Sequence, residues 1–199
     1  MIEAFHQMID LRRTVRKFKQ DPVDSEVLAK LVDAARLCPS AANLQPLVFV
    51  AANDPDVARQ LYETEKFAAY LKGKGQPKSG EEPTAHIVIA QNKKFAIAET
   101  VRDVGAAAQT ILMGACAYGL GATWLRAFNR NKAAQILGLP EDLEPDSIIA
   151  LGVPAEAPKV VPMEDGDVKY WRDETEQHFV PKRGFDEVCF LNGYNKSWS

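Results

Sequence analysis

Residues 12–19, RRTVRKFK, place five cationic side chains in eight positions of a chain whose net charge is −3. Guanidinium groups bind phosphate through paired N–H donors and keep their charge near neutral pH. Thr14 adds a hydroxyl donor among Arg12, Arg13 and Arg16. In an extended segment side chains alternate, so Arg12, Thr14 and Arg16 fall on one side, as one small anion requires. The same residues also read as a solvated basic turn or as a polybasic nucleic-acid contact. A protein that coats nucleic acid carries its basic excess over a whole face. With 27 acidic against 24 basic residues, this chain carries none.

A second stretch that can do chemistry is PSAANLQP, residues 39–46. Ser40 and Asn43 offer a hydroxyl and an amide, and Ala41 and Ala42 let a ligand approach the backbone. Loops at the end of a rigid element commonly present such groups, though a Pro-bounded turn is the plain alternative. No G-x-S-x-G surrounds Ser40, so it is not read as a nucleophile. VPKR (180–183) is a second basic pair. GKGQPKSG (73–80) fails as a phosphate loop, because Pro77 stands where Gly must precede Lys78-Ser79. No G-x-G-x-x-G opens a helix after a strand, so the dinucleotide fingerprint is missing as well.

Cys38, Cys116 and Cys189 are odd in number and form no C-x-x-C, which implies reduced thiols in a cytosolic (cytoplasmic) compartment. His6, His86 and His178 lie far apart, and no metal site is expected. MIEAFHQMID has early acids and no apolar core, unlike a signal peptide. Val104–Leu125 is uncharged, but its Gln109, Thr110 and four glycines suit a buried helix and strand better than a membrane span.

The elements that must position these groups follow from periodicity. Helices are expected over 2–9; over 25–37, where Val27, Leu28, Leu31, Val32 and Ala35 share a face and Asp24 or Ser25 caps; over 55–63, with Pro55 at the first position; over 98–118, stopped by Gly119; and over 131–137. Buried strands are expected at 47–53, 86–90, 121–128 and 147–153. Residues 72–83, rich in Gly, Pro and charge, read as a mobile loop. This alternation implies an α/β or α+β core. After Val153 the prolines at 154, 158 and 162 predict an extended arm, too poor in apolar residues to fold alone. Hydrophobic residues make up 46 % of 199 positions, enough for one core.

Taken in order, RRTVRKF, PSAANLQP, GLGATWLRAF, LGLPEDLEP, the strand ending LGVPAEAP, and VPKR resemble the FMN-dependent nitroreductase family over nearly the whole chain. The resemblance implies an α+β (α/β sandwich) fold with a central mixed, largely antiparallel sheet flanked by helices. It implies a single domain, 1–199, whose arm, 154–199, wraps a partner subunit. It further implies a homodimer with FMN at the subunit interface, NAD(P)H as reductant and a small-molecule electron acceptor, without nucleic acid or membrane.

Carried over by residue, Arg12, Arg13 and Thr14 meet the ribityl-phosphate end, and Arg16 lies toward the pyrimidine edge. Lys182 and Arg183 meet the phosphate. Pro39, Ser40, Ala41 and Asn43, with Gln45 in the same loop, line the ring and ribityl from the other subunit. Trp124, Leu125 and Arg126 place a backbone N–H near N5. Family members carry Glu or Gly at the place of Arg126, so the expectation there rests on backbone. A phosphate monoester carries close to two negative charges near pH 7, which suits these cations. Arg16 beside the N1/C2=O edge favours the electron-rich ring. No side chain is assigned as proton donor; His86 and Tyr70 are read as structural or exposed. The implied activity is ping-pong transfer of hydride to a nitroaromatic, quinone or activated alkene. A non-catalytic FMN binder and a nucleic-acid module are the alternatives.

Overall fold

Two strands with unbroken apolar runs organise the structure, a computed structural model that describes residues 1–71 and 75–198. These are β2 (Ala85–Asn92) and β4 (Leu143–Gly152), paired antiparallel with Ile87 opposite Ile149. Alternation sends Ile87, Ile89, Ile149 and Leu151 into one core and Val88, Ile148 and Ala150 into another. Both faces are covered, which is why no polar residue interrupts the runs. β1 (Leu47–Ala52) joins the far side of β2, and β3 (Gly121–Leu125) the far side of β4. The order is β1-β2-β4-β3, all neighbours antiparallel.

α2 (Ser25–Arg36) and α4 (Thr100–Ala117) cover the first face. α3 (Pro55–Tyr62) and α5 (Arg130–Ile136) cover the second. α1 (Ile2–Leu11) packs on α4 and buries no residue of its own. The caps are those expected: Asp24 accepts from Glu26 N–H, and Asp54 accepts from the N–H groups of Asp56 and Val57 with Pro55 at the first position. α4 ends before Gly119, whose φ of 71° is left-handed. The result is the α+β sandwich expected.

Three features differ most from expectation. β4 starts at Leu143 because residues 143–146 continue the ladder with the end of β2. β3 stops at Leu125, and Phe128 instead bridges Glu65. The third is the loop expected over 72–83. Residues 72–74 lie outside the described residues, but the rest of the segment is tied down. Gly75 and Pro77 are buried, Tyr62 Oη donates to Pro77 O at 2.8 Å, and Phe18 N–H donates to Glu81 O at 3.0 Å.

The arginine segment closes the outer edge of β3. Thr14 bridges Ala122 in parallel, Val15 N–H donates to Ala122 O at 3.1 Å, and Thr123 Oγ1 donates to Val15 O. Further on, Lys19 N–H donates to Val153 O and Ala155 N–H to Lys17 O, both at 2.8 Å. Two glycines make room: a Cβ at Gly121 would stand 2.8 Å from Val15 Cγ1, and one at Gly152 2.9 Å from Phe18 Cδ1.

The arm is not simply extended. It forms a three-stranded sheet, β5 (Lys159–Pro162), β6 (Trp171–Arg172) and β7 (His178–Lys182), in the order β5-β7-β6 with β5 and β7 parallel. Asp173 Oδ1 accepts from the N–H groups of Thr175 and Gln177 and shapes the β6–β7 turn, and Trp171 stacks on Phe179 at 5.4 Å. This sheet docks on its own chain. Arg16 lies 4.8 Å over the Tyr170 ring, Tyr170 meets His178 at 5.5 Å, and Lys17 Nζ pairs with Glu176 at 2.9 Å.

Two outcomes are expected from this packing. His178 is 1 % exposed, and burial, with Arg16 and Arg172 nearby, lowers its pKa from 6.5 to about 4. A depressed histidine pKa means the docked arm refuses a proton that the freed arm accepts. Arm stability is therefore complete above about pH 6.5 and lost progressively as pH falls toward 4. Relative to the intrinsic rate at each pH, hydrogen-exchange protection of the β5–β7 amides should fall as pH drops across that range in wild type and stay unchanged in His178→Gln. Gly152→Ala should destabilise the fold by about 1–3 kcal/mol through overpacking against Phe18, read by urea denaturation.

Candidate functional site

The arginine segment begins where α1 runs out of partners. Arg13 Nη2 donates to Ile9 O at 2.7 Å and Asp10 O at 3.0 Å, capping the carbonyls at the helix end. Its Nε is buried without a partner. Burial, then the adjacent Arg12, lowers the Arg13 pKa. Arg12 itself is half-buried at the C-cap, where φ −64° and ψ 106° turn the chain extended. It lines a cleft of about 290 Å³ with Arg13, residues 119–122 and residues 154 and 156–158. Arg16 does not line that cleft; it is enclosed beneath the arm, 8 % exposed. The single face expected for Arg12, Thr14 and Arg16 is thus divided between an open cleft and an enclosed position.

Arg16 is the unusual member. Its Nε and Nη1 are buried and have no hydrogen-bond partner. Its backbone N–H donates to Glu156 Oε1 at 2.5 Å, while Glu156 Oε2 meets Arg172 Nη2 at 2.5 Å. Two arginines therefore share one carboxylate, Arg16 through its backbone N–H and Arg172 through its guanidinium. Burial lowers the Arg16 pKa, opposed by Tyr170 and Glu156, yet a guanidinium remains charged. A buried cation with unmatched donors costs free energy until an acceptor reaches it.

The 39–46 loop lies between the end of α2 and β1, as expected. It makes one tight turn, Ala41–Asn43, and carries three non-glycine residues in the left-handed region: Ala42 at φ 49°, Asn43 at 55° and Gln45 at 49°. Asn tolerates that region; for alanine it costs about 1–2 kcal/mol. Strain of this kind persists only where surrounding bonds over-determine it. Here Gln45 N–H donates to Ser40 Oγ at 3.1 Å, Asn43 N–H to Ser40 O at 2.9 Å, and Ala41 N–H to Asp103 Oδ1 at 3.1 Å. Asn43 and Gln45 are exposed, Ser40 and Ala41 half-buried. Pro39, Ser40 and Gln45 line a small pocket of about 160 Å³ beside Asp103.

Trp124, Leu125 and Arg126 sit beside the arginine segment, because Thr14 pairs with Ala122 on the same strand. Trp124 is 40 % exposed and Leu125 buried. The Arg126 side chain is solvent-facing, its Nε 3.8 Å from Asp146 Oδ1. Lys182 ends β7 and Arg183 follows it, engaged with Glu187 (Nη2 to the backbone O, 2.9 Å). At about 3.3 Å per residue, Lys182 stands roughly 13 Å along the strand from His178, which neighbours Arg16. Within one chain the described contacts join the arginine segment to the 124–126 strand, but not to the 39–46 loop or to Lys182 and Arg183.

Sequence reasoning missed Glu156, Tyr170, Arg172, His178 and Asp103. Each is a single polar or aromatic residue whose partner lies far away in the chain, so no local pattern marks it. It also missed a buried pair: His86 Nε2 lies 3.1 Å from Glu65 Oε1 with both side chains fully buried. Tyr70 is 51 % exposed and rests edge-on against Tyr170 at 5.2 Å. Among the described residues no three His, Cys, Asp or Glu side chains gather as a metal set, and no helix is long and apolar enough to cross a membrane.

Comparison with known proteins gives the family. The profile of the nitroreductase family matches residues 9–153, from the end of α1 to the end of β4. An NADH dehydrogenase of Thermus thermophilus is 31 % identical over 172 residues, spanning 73 % of this chain and 84 % of that protein. An iodotyrosine deiodinase of Haliscomenobacter hydrossis is 27 % identical over 191 residues, spanning 82 % and 85 %. A chain from Desulfovibrio desulfuricans solved in complex with FMN superposes with a TM-score of 0.62 at 26 % identity, covering 76 % of this chain and 87 % of that one. A nitroreductase family protein of Clostridium novyi shares the fold at TM-score 0.64 and 22 % identity, covering 98 % and 96 %. On the profile match and the Thermus relative together, the chain belongs to the nitroreductase family.

Proposed function

We propose that this protein is an FMN-dependent oxidoreductase that moves hydride from NAD(P)H to an electron-poor acceptor such as a nitroaromatic, a quinone or an activated alkene. The observation that carries the reading is the Arg16 guanidinium, buried and charged with two N–H donors unmatched. Those donors suit the N1/C2=O edge of a flavin, a pair of adjacent acceptors. The FMN-bound relative from Desulfovibrio desulfuricans supports FMN as the ligand. When bound, FMN supplies the redox chemistry itself, taking hydride from the nicotinamide and passing it on in a ping-pong sequence.

The chain's own residues do the rest. Arg16 holds a fixed positive charge at the pyrimidine edge, oriented by the Tyr170 face and by the Glu156 bond to its backbone. Arg12 lines an open cleft and meets the phosphate, with Lys182 and Arg183 adding charge. Backbone at 124–126 would face N5 of the bound flavin, with Trp124, 40 % exposed, beside it. Pro39, Ser40, Ala41, Asn43 and Gln45 come from a second copy of the chain. That copy suits the exposed apolar surface: Ile2 at 75 % and Leu11 at 74 % on α1, Val101 at 57 % on α4, and Tyr194 at 82 % in the arm. Residues 184–198 of the arm lie against the partner in this arrangement.

Three of the five cations in residues 12–19 are engaged within the molecule: Arg13 at the helix end, Arg16 under the arm, Lys17 with Glu176. That weakens the nucleic-acid reading. A non-catalytic flavin binder is separated by experiment. The purified protein should be yellow, and NAD(P)H should bleach it; a yellow protein that NAD(P)H leaves unbleached would be a binder only. Arg12→Ala should weaken FMN affinity by about ten- to a hundredfold, from one lost charge-assisted contact, with its circular dichroism unchanged. A colourless chain that takes up no FMN in excess would overturn the reading.

A further inference from the structure

Asp103 stands in the first turn of α4, and no sequence motif singles it out. It is 6 % exposed, and its Oδ1 accepts the Ala41 N–H at 3.1 Å. Its Oδ2 is buried and has no partner. Around it the 160 Å³ pocket is lined by Ala35, Cys38, Ser40, Gln45 and Phe49. The positive end of a helix offsets part of the cost of a carboxylate here, but one oxygen remains unmatched.

A buried carboxylate half satisfied in this way lowers stability relative to an uncharged residue. Fold stability therefore does not explain it. What it does reach is the first residue of the turn whose next members, Ala42 and Asn43, are left-handed, with Gln45 following. Ser40 and Asp103 are the only described side chains of other residues that accept the backbone N–H groups of this loop, at Gln45 and Ala41 respectively. The Ser40 bond is internal to the loop. Of the two, Asp103 alone ties it to a rigid element.

The geometry points to Asp103 as a positioning residue that holds the 39–46 loop in its strained, ligand-presenting form at the expense of fold stability. This rests on the proposed function, in which that loop contacts FMN across the subunit interface. Such exchange of stability for a preorganised site is common where strain serves function.

The test uses the full-length protein and three variants. Asp103→Asn keeps an Oδ1 acceptor, Asp103→Ala removes it, and Ala41→Pro removes the donor at a position where a helical turn tolerates proline. Three readouts are taken: hydrogen exchange of the Ala41 amide, thermal midpoint, and FMN affinity by fluorescence quenching. Asp103→Ala should speed Ala41 exchange, leave the thermal midpoint equal or higher, and weaken FMN binding by about ten- to a hundredfold. Asp103→Asn should bind FMN as wild type does. The double variant Asp103→Ala/Ala41→Pro should be no worse than Ala41→Pro alone, since both remove one bond. The proposal is overturned if Asp103→Ala keeps wild-type exchange and affinity, if Asp103→Asn is as impaired as Asp103→Ala, or if the double variant is additive. Should Asp103→Ala not fold, the carboxylate is needed for stability and the proposal falls. If wild type takes up no FMN, the functional reading fails while Ala41 exchange still decides the positioning role.

Discussion

The Glu156 carboxylate accepts the Arg16 backbone N–H on one oxygen and meets the Arg172 guanidinium on the other. Three parts of the chain converge on it: the segment leaving α1, the start of the arm and the β6 strand. Beside that bond, the arginine segment is held by its short ladder to β3, by backbone bonds that join Lys17, Phe18 and Lys19 to Ala155, Glu81 and Val153, and by packing of Val15 and Phe18 on the glycines beneath. Buried carboxylates are expensive unless their lone pairs are filled. This one accepts a backbone N–H on Oε1 and is ion-paired with a guanidinium at Oε2, which makes the arrangement mutually dependent.

The cluster around it carries an excess of positive charge. Arg16 and Arg172 face one carboxylate, and His178 is kept neutral beside them. The Tyr170 ring supplies a π face for Arg16, a weaker substitute for a counter-ion. An environment so arranged favours electron density arriving next to it. The chain thus presents, before any ligand is considered, a fixed electrostatic bias on the side of the sheet where the 124–126 strand lies.

Much of the fold was legible because its signals are local. Asp24, Asp54 and Pro55 mark helix starts within two or three residues of their partners, and β2 and β4 announce burial on both faces by composition alone. The arm is less legible. β6 is two residues long, and β5 is set parallel to β7 across an intervening stretch, so neither has a period to detect. Of the site, the cationic residues and the 39–46 loop stand out by type and crowding. Their supports do not, since Glu156, Asp103 and Tyr170 become meaningful only through contacts made across 62 to 154 positions: Ala41 with Asp103, Arg16 with Glu156, Arg16 with Tyr170. The left-handed backbone at Ala42 is similarly invisible, because alanine carries no sign of it.

The pairing of Thr14 with Ala122, and of Lys17 and Lys19 with Ala155 and Val153, has a consequence for biosynthesis. The arginines leave the ribosome more than a hundred residues before the strand they border and the carboxylate they need. At about 5–20 residues per second, this delay is roughly seven to thirty seconds. Throughout it the nascent chain carries these cations without the strand and the carboxylate that later hold them.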